Sequence, residues 1–414
     1  MGRFGLINKE NEDADRMMNR AEEFVFHVCR ETFLSLWSYA NPIGKDGKEL
    51  CDILVVCEPD IVIFSVKEIK LTESGDIETD WKRWNRRAIG KSANQVYGAE
   101  RWLKTATYVI KSDGSAGSKL WADHERRIYR AVVALGSKDK VPMVYGDLGK
   151  GFVHVLDEIS FGIILQELDT VSDFINYLSA KERFYMADKE TPFLAGEENL
   201  LALYLHSGKK LPGNYDIVHI EGELWDSFTK KPEYLRKNEE DKISYLWDQV
   251  IEDIAKDVLK GNLEFSRSPD DGEAILRTMA REDRFSRRIL GKSFAEFMLL
   301  SSQNKVRSRM LRSPSGIIYV LLALPHTIDR KYRRAELGVR CFIARGLNSD
   351  CKTIIGIATE QRKPGVGHSF DLYYLYLPEW KEKHQKRMEE IQKESGFFAK
   401  PVSTEFHEDE YPQK

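Results

Sequence analysis

The sequence predicts an α/β protein: an N-terminal mixed sheet flanked by helices, then a helical region, then a second small α/β unit. Three observations carry this. Two β-branched apolar runs, Cys51 to Cys57 and Ile61 to Val66, stand either side of Glu58-Pro59-Asp60 and form a hairpin signature. Helix-period stretches precede and follow that hairpin. Near the end, apolar runs at Ile317 to Leu324 and Thr353 to Thr359 enclose a helical pattern over Lys331 to Ala344.

In chain order, Ala14 to Tyr39 repeats Met17, Met18, Ala21, Phe24, Val25, Val28, Cys29, Phe33 and Leu36 at three- and four-residue steps. Asn41-Pro42-Ile43-Gly44 breaks this helix, and the hairpin follows, extending to Ile69. Leu71 to Asp80 reads as a loop, and Trp84 to Lys104 as a second helix with Ala88, Ala93, Val96, Ala99 and Leu103 inward. Ser112 to Ser118 is a glycine- and serine-rich loop, and Ile128 to Leu135 and Gly151 to Leu156 are further strands. Asp169 to Phe184 opens with capping residues and reads as a helix, as do Glu239 to Lys260 and Gly272 to Ser301 by period. Phe370 to Leu377 is a last strand, and Trp380 to Lys393 a highly charged helix. The expected boundaries are 1–160, 161–305 and 306–398, with a disordered tail over 399–414.

The chain has 414 residues, 42% hydrophobic and 31% charged, with a formal net charge of −3, so a nucleic acid would have to be met by a local basic groove. The five cysteines form no C-x-x-C pair and read as buried and reduced. The polar N-terminus lacks a signal-peptide core, and no apolar run reaches membrane-spanning length, so a cytoplasmic protein without membrane partners is expected. There is no Walker A sequence, no H-E-x-x-H, and Gly365-Val366-Gly367 lacks the strand-to-helix setting of a dinucleotide loop. Arg333, Arg334, Glu336 and Arg340 read as a ligand site or as solvent-facing pairs on their helix, with pairs favoured.

The hairpin carries the chemistry. Antiparallel pairing sets the start of one strand beside the end of the next, so Asp52 and Lys67 meet at one sheet end. A carboxylate there can hold a hard divalent cation, and an ammonium can orient a water or oppose developing charge. The same layout serves a plain ion pair. Lys67 shares a face with Ser65, Ile63 and Ile61.

Asp52, the run Ile61-Val62-Ile63-Phe64-Ser65-Val66-Lys67, and the helix–hairpin–helix–strand order resemble the PD-(D/E)XK, or restriction-endonuclease-like, nuclease superfamily over roughly Asp15 to Leu156. The resemblance implies Asp52 as metal ligand, Lys67 as the lysine that positions water, and Mg²⁺ or Mn²⁺ as cofactor. It departs from the pattern at Ser65, where an acid is usual. Glu68 could replace it if the strand bulges, Glu68-Ile69-Lys70 also spells E-x-K, and Glu49 or Glu22 could supply a migrated acid. Glu22 lies among the apolar positions of its helix, where a carboxylate needs a cation, a metal or a hydrogen bond, unless it sits at the stripe's edge and reaches solvent.

Gln95 on the second helix corresponds to a site-facing Gln of many superfamily members, with Tyr97 nearby. Lys82, Arg83, Arg86, Arg87 and Lys91, interleaved with Trp81 and Trp84, suit phosphate contact with stacking; a solvated helix face is the competing reading. The expectation is therefore a nuclease acting on DNA ahead of RNA, with Asp52, Lys67, Glu22 and Gln95 catalytic and Asp52, Glu22 and Glu68 at the metal. Host defence is the analogy the resemblance offers. The alternative is an inactive nuclease-like binding module or an interaction subunit, and a homo-oligomer or partner held through the C-terminal half stays open.

Overall fold

The structure, a computed structural model, describes residues 18–137, 143–186, 196–213, 220, 222–259, 269–363, 365–400 and 407–412. Its chain divides into two compact units, one of residues 1–31 and 37–165, the other of residues 32–36 and 166–414.

The first unit is built on a six-stranded sheet. Helix α1 (Arg20–Phe33) leads into strand β1 (Ser38–Ala40), then the hairpin β2 (Ile53–Cys57) and β3 (Asp60–Glu68). Its turn is Glu58-Pro59, with a cis peptide. Helices α2 (Ile77–Asn85) and α3 (Lys91–Leu103) follow, joined by a π turn over Arg86–Gly90. Strands β4 (Tyr108–Ile110) and β5 (Ala116–Lys119) form a separate small hairpin. The sheet is completed by β6 (Arg127–Leu135), β7 (Gly146–Asp147) and β8 (Phe152–Leu156), and α4 (Glu158–Glu167) comes next. Strand order is β1-β2-β3-β6-β8-β7, with β2 antiparallel to β3 and β6 parallel to both β3 and β8.

Period-2 alternation decides the faces. Leu54, Val56, Ile61, Ile63, Val132, Ala134, Val153 and Val155 pack against Trp84, Ala88, Ile89, Ala93, Val96 and Leu103 of the α2–α3 helix. The alternate residues Val62, Phe64 and Val66 are buried too, so β3 is apolar on both sides, as a central strand between layers must be. At the strand's end Gly136 (φ +99°) lets the chain approach closely. A Cβ there would meet the Ile69 carbonyl oxygen at 2.5 Å, and the Gly136 carbonyl accepts from Leu71 N–H.

Several local expectations change. The first helix ends at Phe33, not Tyr39, and Ser38–Ala40 instead pairs with β2. The helix after the hairpin begins at Ile77, capped by Asp76, whose side chain accepts from Thr79 N–H. Part of the expected 112–118 loop is strand β5. All five cysteines are buried and unbridged.

In the second unit the described helices are α5 (Val171–Met186), α6 (Glu197–His206), α7 (Leu224–Thr229), α8 (Pro232–Glu240), α9 (Tyr245–Leu259), α10 (Pro269–Ala280) and α11 (Arg284–Ser302). A four-stranded sheet follows: β9 (Ser308–Arg312), β10 (Ile318–Leu324), β11 (Thr353–Glu360) and β12 (Asp371–Tyr376), in the order β12-β11-β10-β9. Helix α12 (Arg330–Leu347) connects the parallel pair β10 and β11, and α13 (Glu382–Ser395) closes the unit. Arg333 and Arg340 are buried rather than solvent-facing. Arg333 joins Arg330 and Arg334 on the fully buried Asp371, while Arg340 pairs with Glu336. Residues 407–412, within the stretch expected to be disordered, are hydrogen-bonded to this unit. No helix among the described residues is long and apolar enough to cross a membrane.

Candidate functional site

The hairpin register places the chemistry. Ile53 pairs with Phe64, and one further step sets Asp52 opposite Ser65. Both side chains then point to the α3 side of the sheet, where Gln95 meets them. Gln95 Nε2 donates to Asp52 Oδ1 at 3.1 Å, and Ser65 Oγ donates to Gln95 Oε1 at 2.7 Å. The other oxygen of Asp52 accepts from Val66 N–H and lies 3.9 Å from Lys67 Nζ. Asp52 is 2% exposed, whereas the Lys67 side chain is 36% exposed. A buried carboxylate is thereby fixed from three sides, with an exposed ammonium at its open edge.

Glu49 completes the group. A short loop, closed by a bridge between Ile43 and Glu49 and by Gly44 N–H donating to the Lys48 carbonyl, brings it back to the start of β2. Its carboxyl hydrogen-bonds to that of Asp52, although the residue as a whole is exposed. Partial desolvation raises the Glu49 pKa most, the hydrogen bond and repulsion from Asp52 and the charge of Glu22 add to it, and Lys67 offsets them. The result is about 7 against an ordinary 4.5. Glu49, whose proton is held more tightly than usual, stands beside the Asp52 carboxylate, and the two offer an oxygen pair to a divalent cation that would displace the Glu49 proton.

Glu22 is near enough to act on Glu49 through its charge, but its own oxygens are engaged. They accept from the backbone N–H and side-chain amide of Asn19, while Asn19 Oδ1 accepts from the N–H groups of Ala21 and Glu22. This is a capping box, and it supplies the hydrogen bond that a carboxylate on the apolar stripe needs. Glu68 is not brought to Asp52. The β3–β6 ladder runs without a bulge through Glu68 opposite Leu135, so Glu68 stays on the face opposite Lys67 and is exposed. Neither a bulge nor the Glu68-x-Lys70 register places an acid in the site.

Tyr97 is turned away, donating to the Gly151 carbonyl at 2.7 Å. Lys82, Arg83, Arg86, Arg87 and Lys91 are all exposed or half-exposed, and Lys82 pairs with Glu78 on its own helix. Lys91, the last of the basic run, precedes Gln95 by about one helical turn. The tryptophans do not stand out as stacking platforms: Trp84 is buried and donates its indole N–H to the Ile69 carbonyl, and Trp81 packs partly into the core. Among the described residues, no group of three or more His, Cys, Asp or Glu side chains is gathered to hold a metal ion. The carboxyls brought together at this sheet end are those of Asp52 and Glu49. Comparisons with family models, with curated proteins and with solved structures find no match to this chain.

Proposed function

We propose that the first unit is a divalent-cation-dependent nuclease site in the manner of the PD-(D/E)XK resemblance, acting on DNA ahead of RNA. The observation that supports it is the meeting of Asp52, Glu49, Lys67 and Gln95 at one sheet end. Asp52 and Glu49 would hold Mg²⁺ or Mn²⁺, which keeps several waters and is commonly bound through one or two carboxylates with substrate phosphate completing the shell. The cation supplies charge stabilisation and a more acidic water. Gln95 holds Asp52 in place, and Ser65 holds Gln95. The exposed ammonium of Lys67 can move from Asp52 to a water or to the phosphoryl oxygens as charge builds. Glu22 acts only by adding negative potential.

A specific observation also favours an inactive, nucleic-acid-holding relative: Ser65, Gln95 and Asp52 satisfy one another without any ion. The two readings part in one assay. Plasmid, single-stranded DNA and RNA are incubated with the full chain in Mg²⁺ or Mn²⁺, beside Asp52→Ala and Lys67→Ala. Cleavage by the wild type, reduced about 10²- to 10³-fold by either substitution, is expected. Activity that persists in both variants would remove these residues from the reaction. A folded wild type that binds but never cuts would support the relative.

A further inference from the structure

The second unit holds a basic groove that its own acidic segment fills. The segment is His407-Glu408-Asp409-Glu410-Tyr411-Pro412. Glu410 Oε1 lies 2.8 Å from Lys209 Nζ, and Glu408 Oε2 lies 3.0 Å from Lys292 Nζ. Arg288 donates to the Asp409 carbonyl at 2.7 Å and to the Glu410 carbonyl at 3.3 Å, and Arg236 Nε donates to the Pro412 carbonyl at 2.9 Å. Tyr411 is the apolar anchor, edge-on to Phe228 at 6.1 Å with Lys237 Nζ 5.8 Å from its ring centre.

Four of the groove's cations are also held from within the helical body. These are Lys209 with Asp173 (2.8 Å), Lys237 with Asp241 (2.7 Å), Arg288 with Asp241 (3.3 Å) and Lys292 with Glu240 (2.5 Å). Removing the segment would leave those side chains in place, with their outward N–H groups open to a new acceptor. The segment, by contrast, is half-exposed, and its hold consists of charge pairs, carbonyl acceptors and one ring. Such contacts exchange readily for equivalent ones from another chain, as in acidic-motif recognition by arginine clusters.

We propose that this groove is a docking site for an acidic, tyrosine-bearing peptide segment of a partner protein, occupied in this chain by His407–Pro412 as a tethered competitor. Tethering raises the local concentration of the internal segment, so a free peptide must be at a disadvantage until the tether is weakened.

The test uses the full chain and a fluorescent synthetic peptide of sequence HEDEYP. A Glu408→Gln/Glu410→Gln variant is expected to bind the peptide about tenfold tighter or more than the wild type does. That binding should weaken with added salt. It should be lost when Lys209→Ala and Lys292→Ala are added, or when the peptide's tyrosine is replaced by alanine. Equal affinity of wild type and variant, or no binding by a folded variant, would overturn the proposal. So would a variant that no longer folds, because the segment would then belong to the core. A wild type that forms a segment-exchanged dimer by light scattering would make a second copy the occupant and overturn the partner assignment.

Discussion

At Glu49 two carboxyls meet that water would ordinarily keep apart, and the consequence can be measured. Its pKa is raised from 4.5 to about 7, so the folded chain holds the Glu49 proton more tightly than the unfolded chain does. The stability this confers is complete below about 4.5 and is lost as the pH rises to about 7. Without metal, the wild-type melting temperature should therefore fall across that window more than that of Glu49→Gln. Above it, Mg²⁺ or Mn²⁺ should restore stability to the wild type alone, because the ion binds the deprotonated pair. Parallel pH profiles for the two proteins would show that the fold does not hold the Glu49 proton. The residues of this site divide by how far local rules reach. Strand alternation is enough to bring Asp52, Ser65 and Lys67 to one face, and helix period brings Gln95 over them. The engagement of Glu22 is hidden from pattern reading because the apolar period runs on past the true helix start, whereas the cap at Asn19 decides where that carboxylate is used. Glu49 reaches Asp52 through a loop, which periodicity does not describe.

Among the elements, the stretch from Ile77 to Leu103 shows what pattern reading resolves and what it misses. Its apolar positions mark the core face, and Trp84, Ala88, Ala93, Val96 and Leu103 are buried as the period requires. The π turn at Arg86–Gly90 inserts an extra residue per turn, which shifts the faces before and after it. No composition rule announces that shift. Strands as short as β1 and β4 are likewise invisible beforehand, since three residues carry too little alternation and are fixed by pairing with a neighbour. If the exposed basic run meets phosphates, replacing Arg83, Arg86, Arg87 and Lys91 by alanine should weaken binding of all nucleic-acid sequences alike. The slope of log affinity against log salt should also fall by about 1 for each phosphate that is no longer neutralised. Lys82→Ala should do less, because that ammonium is already engaged by Glu78. An unchanged salt slope in the fourfold variant would return this helix to the status of a solvated face.

Over the whole molecule the charge count conceals where the charge lies. With 31% charged residues, a surface distribution is the default expectation, yet the second unit buries a connected cluster of them. Arg284 and Arg287 are 3% and 1% exposed, and both hold Asp248, itself 1% exposed, at 3.0 and 2.7 Å. Arg284 also reaches Asp169 at 2.7 Å. Sequence periodicity places Asp248, Arg284 and Arg287 on helices correctly, while Asp169, read as opening a helix, lies just before α5, and it assigns charged positions to water by default. Only the packing of α9 and α11 reveals that these face each other. A buried network of this kind adds little over a well-packed apolar core, but removing one member strands the others. Asp248→Ala leaves two guanidinium groups short of an anion, and Asp169 can answer only one of them. The expected cost is about 3 to 5 kcal/mol. A urea titration of the variant should show its unfolding free energy reduced by that amount. Asp253→Ala, on the same helix but paired at the surface with Lys256, should change stability by less than about 1 kcal/mol. Similar destabilisation in the two variants would mean that water reaches Asp248 and that the second unit is not held by a buried ionic core.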